Sequence, residues 1–385
     1  MPSRRDLLAA LGTGAALGFA GCAGGDCTPV EPDGIEWPHP GGGAANASAL
    51  PDLTVPSRVA ERWETTLAPE DGLDAFAGVV AGGDRLVALG RSGDAGFWSQ
   101  FDVRSGERTA HERLPPTIAA PPVLADGHTV AVFQTSDGAH LRVLDSGDEV
   151  DHYSLANRPT MPRAADDVLF GGDADGAYAY APGEGERWRQ PFGDPEEAPA
   201  IPYPPAVDDE RVYVPVVSSG DRGVYALDRA NGEILWSVPD LRAFRAPARI
   251  GSLLFVPAKS ELVALDAASG ERQWTTPTLD DRPTFPPPAG VGEQLVLSDG
   301  STIHGLGAET GEKTWSVDFE SAGRPVVGGD TAVVSAGDTL GVVALALDDG
   351  SERWRLDDVS LAAPLGNGVL VKRRDDLIAC PACEN

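Results

Sequence analysis

The sequence predicts an all-β fold in which eight four-stranded antiparallel sheets close into a ring. Three observations predict it. A motif recurs with a period of about 40 residues. A turn and an aromatic residue keep a fixed spacing inside each copy. The last copy lacks a strand, and a matching strand lies near the other end of the chain.

The clearest copies run Val224–Trp236 and Val263–Trp274; His304–Trp315, Val343–Trp354 and Tyr178–Trp188 follow, with degraded copies at Gln100–Ala110 and Arg142–Tyr153. The residue ending the first strand of the copy lies eight before the aromatic: Tyr180 to Trp188, Asp228 to Trp236, Asp266 to Trp274, Gly307 to Trp315, Ala346 to Trp354. Glycine follows that residue by four at Gly232, Gly270, Gly311 and Gly350, and Gly106 has the same place after Asp102. Asp, Asn and Ser accept local backbone hydrogen bonds in such a turn, and glycine supplies positive φ. The turn sends the next strand back antiparallel with its aromatic on one face.

Before each copy stands a short apolar run, a Gly/Asp turn and a second β-run, as in Pro205-Ala206-Val207-Asp208-Asp209 followed by Val212-Tyr213-Val214. The signal occurs near Val79, Val123, Ala164, Ala206, Ala248, Ala289, Val326 and Leu365, so each repeat is a four-stranded sheet and there are eight. The eighth runs out of chain after Leu377-Ile378-Ala379-Cys380, while Glu61-Arg62-Trp63-Glu64 matches Glu352-Arg353-Trp354-Arg355. An N-terminal strand completing the last sheet closes the ring and protects the sheet edges. The expectation is an eight-bladed β-propeller over residues 58–381, with 382–385 as a tail.

The N-terminus reads as an address. Residues 1–22 hold Arg4-Arg5 in a twin-arginine export context, an apolar run from Leu7 to Gly21, and Cys22 after Phe19-Ala20-Gly21. The last four resemble a lipobox, with Phe19 a departure from its usual Leu, Val or Ile. Cys22 is thus the expected lipidation site, and the mature protein is expected on the extracellular face of the cell membrane. Residues 23–57 read as a flexible tether of roughly 30–35 Å. They carry one sequon, Asn46-Ala47-Ser48, which makes Asn46 a candidate for glycosylation.

The formal net charge is −29, and lysine occurs only at 259, 313 and 372. Such a surface repels phosphate backbones and excludes nucleic acid as a partner class. Dense carboxylates with little lysine resemble proteins of extremely halophilic archaea, where screening makes self-repulsion cheap. Four cysteines lie near the termini and none in the body. Cys380–Cys383 is the simplest disulfide, with Cys27 to either as the rival; a zinc set of Cys27, Cys380, Cys383 and His39 is a remoter arrangement. Asp173-Ala174-Asp175-Gly176 looks like the start of a Ca²⁺ loop without its distal glutamate, and a hairpin turn is the plainer reading.

The pattern Ala-x-Asp-x-x-(Ser/Thr/Asn)-Gly-Glu-x-x-Trp resembles the tryptophan-docking repeat of quinoprotein-type (PQQ-like) propellers over residues 59–381. One branch of that family comprises pyrroloquinoline quinone (PQQ) dependent alcohol dehydrogenases; the other comprises non-catalytic lipoproteins, including the BamB scaffold of the outer-membrane assembly machine. The resemblance implies that Trp63, Trp188, Trp236, Trp274, Trp315 and Trp354 dock between blades. Ala110 and Tyr153 stand at the equivalent positions, so their junctions are expected to be weaker. The repeats lie near minimum length and the body has no cysteine, which favours the non-catalytic branch. The expectation is a monomeric, cofactor-free scaffold, membrane-held through its lipid anchor, that binds an envelope or extracellular protein. The alternatives are a PQQ-dependent dehydrogenase and a sensor holding a small ligand in the funnel.

Overall fold

The computed structural model describes residues 27–383, except 51–54, 68–71, 116, 119, 137, 158, 193–200, 219, 259–260, 278–285 and 337–340. Among them there is no α-helix, and the strands form eight sheets. Six are up-and-down meanders of four consecutive strands, and a seventh adds one short N-terminal strand to such a meander. Blade one spans Ala75–Leu114, blade two Val123–Leu155, blade three Arg163–Pro191 and blade four Ala206–Pro239. Blade five spans Ala248–Pro277, blade six Ala289–Asp318 and blade seven Val326–Leu356. Blade eight takes three strands from Ser360–Pro381, and Trp63–Thr66 is its outermost strand. That strand pairs antiparallel with Asp376–Pro381, with Trp63 opposite Ala379 and Thr66 opposite Asp376. First strands of successive blades touch in order, and that of blade eight touches blades one and seven. The fold is the expected eight-bladed propeller.

The core is divided. Eight buried apolar clusters are present, each built from two neighbouring blades. Strand alternation puts one side-chain set of each sheet against the preceding blade and the other against the following one. Both faces are therefore apolar, as in Val224-Tyr225-Ala226-Leu227 and Leu262-Val263-Ala264-Leu265.

In blades three to seven the outer strand carries its tryptophan immediately after a bulge. In blade four Trp236 lies opposite Ala226 but Ile234 opposite Leu227, so Leu235 is the extra residue. The same slip makes Gln273, Thr314 and Arg353 extra before Trp274, Trp315 and Trp354. A bulge re-aims the following side chain. The residue opposite each of these tryptophans is small: Ala179, Ala226, Ala264, Gly305 or Ala344. At Gly305 a Cβ would fall 2.2 Å from the Trp315 ring, so any larger residue displaces the indole.

The aimed indole crosses to the next blade. Its N–H donates to the carbonyl one residue after the strand that ends in the turn. The pairs are Trp63 to Val103 (2.8 Å), Trp188 to Arg229 (2.9 Å), Trp236 to Ala267 (3.1 Å), Trp274 to Ala308 (3.0 Å) and Trp315 to Leu347 (2.7 Å). The rings lie over Gly106, Gly232, Gly270, Gly311 and Gly350, where a Cβ would come within 2.6–2.7 Å of the indole. Those glycines also have φ of 70–78°. Turn conformation and close approach thus demand glycine independently. Trp354 faces the blade whose third-to-fourth-strand connection is replaced by the chain ends, and it donates instead to Pro56 at 2.8 Å.

The two copies without tryptophan are filled by other means. Opposite Ala110 stands Gln100, but Trp98 on the same blade is 1% exposed and donates to Thr129 Oγ1 of blade two at 3.0 Å. Tyr153 stacks on Tyr180 of blade three with centroids 4.6 Å apart, and Arg189 donates to its hydroxyl at 2.6 Å. Other aromatic contacts thus occupy the two junctions that lack the docking tryptophan.

Residues 27–50 are not a flexible tether. They enter the ring and wind round its axis against every blade. The carbonyls of Pro38, Ala44, Ala45, Ala47 and Ser48 accept from the N–H groups of Leu124, Val207, Arg249, Gly290 and Val327, one in each first strand of blades two, four, five, six and seven. Asp33 accepts from Gly366 of blade eight, Trp37 exchanges two bonds with Ala81 of blade one, and Pro40 accepts from Arg163 of blade three. Ala49–Leu50 adds a parallel strand to blade seven. The physical reason is that each first strand presents an unpaired edge to the axis, and buried N–H groups need acceptors. Trp37, 3% exposed, was the residue out of place in a tether. The presumed tail is also tied down: Ala382 bridges to Val59 and Cys383 to Pro29.

Trp236→Ala is expected to lose about 3 kcal/mol of unfolding free energy, the low end for an aromatic truncation because the ring is part-buried. Gly270→Ala, which keeps the indole but crowds it, is expected to destabilise in the same direction. Chemical denaturation of the two variants checks both, and an unchanged midpoint for either contradicts the docking geometry.

Candidate interaction site

The axis is the first place to look for a site, and it is occupied by the chain's own turn at residues 39–48. Asn46 is its centre. Its Nδ2 donates to the Pro247 carbonyl at 2.8 Å, and its Oδ1 accepts from Arg163 Nη2 at 2.6 Å and Arg324 Nη2 at 3.0 Å. Asn46 is fully buried at φ 59°, a left-handed value that asparagine tolerates better than most residues. The sequon reading is therefore corrected: an amide buried with donors and acceptors satisfied has no room for a glycan in the folded chain. Burial pulls the Arg163 guanidinium down to about 9, with Arg324 adding to the effect, and burial takes Arg324 down to about 10. His39 is fully buried beside them; desolvation, then Arg163, holds it well below the ordinary imidazole value.

The cysteine pairing is also corrected. Cys27 and Cys383 form the disulfide, with Cα atoms 5.5 Å apart. Cys380 is buried in the third strand of blade eight. Residues three apart on extended chain lie ~10 Å apart, beyond the 4.4–6.8 Å that a bridge spans. The pairing that occurs was the rival arrangement, and it consumes two ligands of the zinc set. Among the described residues no group of three or more His, Cys, Asp or Glu is placed to hold a metal. Asp173 closes a hairpin turn: its carboxylate accepts from the Asp175 N–H and pairs with Arg189 at 2.9 Å. Cys22, Arg4 and Arg5 lie outside the described residues.

With the axis filled, the notable hollows lie beside blade four. One, of about 750 Å³, sits between blades three and four. Phe170, Trp188 and Leu235 line it together with Arg187, Arg211 and Arg229 and with four carboxylates, those of Asp167, Asp209, Glu210 and Asp228. Arg229 lies over the Phe170 ring at 5.5 Å and pairs with Asp166. Ile234 and Leu235 are 46% and 48% exposed, among few large apolar side chains so open in the described residues. Leu235 is the bulge residue, so the slip that aims Trp236 inward also turns Leu235 out. The second hollow, about 570 Å³, lies on the other side of the disc under the connection Pro239–Phe244. Sequence reasoning missed both hollows, because neighbouring repeats build each wall.

The turns carry most of the perturbed carboxylates. Asp102 and Asp266 accept from the Ser105 and Ser269 hydroxyls and from backbone N–H groups two and three residues on. Those hydroxyl bonds, more than any charge, hold both carboxyls below the usual range. Asp349 is lowered in the same way by Ser351.

A family model described as outer membrane protein assembly factor BamB matches residues 146–284 and 258–380. Among solved structures, BamB from Moraxella catarrhalis aligns with a TM-score of 0.63 at 16% identity, covering 84% of this chain and 99% of that one. Quinohemoprotein alcohol dehydrogenase ADHIIG from Pseudomonas putida HK5 aligns at 0.65 and 12%, covering 90% and 80%. The enzyme of the same class from Comamonas testosteroni aligns at 0.64 and 13%, covering 91% and 80%. No curated protein matches the chain in sequence. At such identities the likeness shows the fold, and a fold shared by BamB and dehydrogenases does not decide whether this chain is an enzyme.

Removing the disulfide by Cys27→Ser is expected to cost about 2–5 kcal/mol, because the bridge constrains a very long loop of the unfolded chain; the denaturant midpoint with and without reductant measures it. The turn aspartates have folded pKa values below the unfolded ~3.9. Their contribution is present above pH ~4 and is lost as pH falls through the folded values. Melting temperature measured downward from pH 7 should therefore drop most steeply below pH ~4, and less steeply in Asp266→Ala.

Proposed function

This chain belongs to the family described as outer membrane protein assembly factor BamB, and from that premise we propose that it is a non-catalytic scaffold binding another protein of the cell envelope. The observation that carries the reading is the filled axis. A sensor with its ligand in the funnel, or a dehydrogenase with a quinone on the floor of the disc, needs open space on the axis. Here residues 33–50 occupy that space and hydrogen-bond to all eight blades. What remains for recognition is the surface beside the blades. The cleft between blades three and four combines Leu235, the rings of Phe170 and Trp188 and three arginines, with the carboxylates of Asp167, Asp209, Glu210 and Asp228 among them; aromatic residues and arginine are enriched at protein interfaces.

Localisation follows from the sequence. The proposed export motif at Arg4-Arg5 and lipid at Cys22 would hold the protein, as a monomer, on the extracellular face of the membrane. The disulfide at Cys27 then sets the leash. Cys27 lies five residues on from Cys22, a reach of at most ~18 Å. The disc face near Cys27–Cys383 therefore turns toward the membrane. It also carries the turns between first and second and between third and fourth strands, which line the blade three–four cleft. A partner embedded in, or held to, the same membrane suits that placement.

The test is cross-linking mass spectrometry on whole cells with the native chain and with Ile234→Asp/Leu235→Asp. The reading expects one dominant envelope partner linked near blades three and four, lost in the double variant while the melting curve is kept. Dye reduction with alcohols or sugars after incubation with PQQ and Ca²⁺ overturns it in favour of the enzyme.

A further inference from the structure

We propose that the axial cluster of Arg163, Arg324 and His39 is a binding site for a small monovalent inorganic anion of the size of chloride. Arg163 opens the first strand of blade three, and Arg324 precedes that of blade seven, across the ring. Both reach the axis and donate to one atom, Asn46 Oδ1, at 2.6 and 3.0 Å. The two donating nitrogens are thus within about 6 Å of each other, where like charges repel strongly outside water.

Every acceptor these guanidinium groups have is neutral: the Pro40 carbonyl, and the carbonyl and side-chain oxygen of Asn46. Among the described residues no carboxylate forms an ion pair with either, although the chain carries a net charge of −29. A buried charge is ordinarily paired, and two neighbouring cations in one interior leave a positive excess that amide oxygens do not cancel.

Donors remain to receive an anion. Arg163 is 1% exposed, and its Nε is buried with no hydrogen-bond partner. The same holds for Arg324 Nε. His39, beside them and held neutral, adds no third charge. The surrounding turn selects for size. At Gly41 a Cβ would lie 2.6 Å from Asn46 Oδ1 and 2.7 Å from Arg324 Nη1, so the chain is drawn tightly about the guanidinium. That crowding favours a single-atom anion over phosphate or a carboxylate ligand. Guanidinium is itself weakly hydrated and matches a weakly hydrated halide.

The decisive probe is bromide. Crystals of the native chain grown in bromide in place of chloride should show an anomalous peak within hydrogen-bonding reach of Arg163 and Arg324 Nε. Peaks at surface cations alone, or water at the axis, overturn the proposal. In solution, the melting temperature should rise with chloride and saturate, relative to gluconate at equal ionic strength. Arg163→Gln should flatten that dependence, while Arg113→Gln on the surface should keep it. Equal melting curves of the native chain in the two salts would sink the proposal even if Arg163→Gln fails to fold.

Discussion

The ring rests on one repeated contact: an indole from the outer strand of one blade, laid on a glycine of the next and hydrogen-bonded to a turn carbonyl. Sheets stacked radially share only side chains with their neighbours, so nothing in the backbone of one blade fixes its angle to the next. The indole N–H bond does, because it ties a side chain of one sheet to the main chain of another. Its net worth as a hydrogen bond is about 1 kcal/mol, but the ring it carries buries far more apolar area. The rest of the motif serves that contact. The bulge aims the indole, the small residue opposite makes room beneath it, the aspartate holds the turn, and glycine lets the ring come close.

The axis poses a second constraint. Closing eight sheets leaves eight inner edges pointing at one line, each with unpaired backbone groups. This chain meets them with its own N-terminal segment, whose carbonyls fall in step with successive blades. The segment then passes to Pro56, which stands in for the missing turn opposite Trp354, and to Trp63, which completes blade eight. One stretch of chain thus fills the hub, supplies a docking acceptor and adds the closing strand, while Cys27–Cys383 ties its start to the chain's end.

Much of this was legible in the residues. The period, the turn chemistry and the tryptophan spacing are local, and they identified all eight blades and the strand at Trp63. What escaped was non-local. Residues 27–50 lack periodicity because their partners are eight separate strand edges rather than a neighbour in sequence, so Pro and Gly read as looseness. Asn46 looked like an exposed sequon because only the assembled ring brings Arg163, Pro247 and Arg324 to it. Trp98 was passed over because it sits one strand inside the expected position. The nearest-neighbour rule for cysteines failed for the same reason: proximity along an extended strand is not proximity in space.

The shared eighth blade has a consequence for biosynthesis. A ribosome delivers Trp63 more than three hundred residues before the strand that receives it. Until Asp376–Pro381 emerges, seven nascent blades have a seam at each end and a hub segment with part of its rim absent. Such a chain must remain open, with two apolar blade faces exposed, until that strand is made. Loss of Asp376–Pro381 alone would therefore strand seven folded blades in that open form.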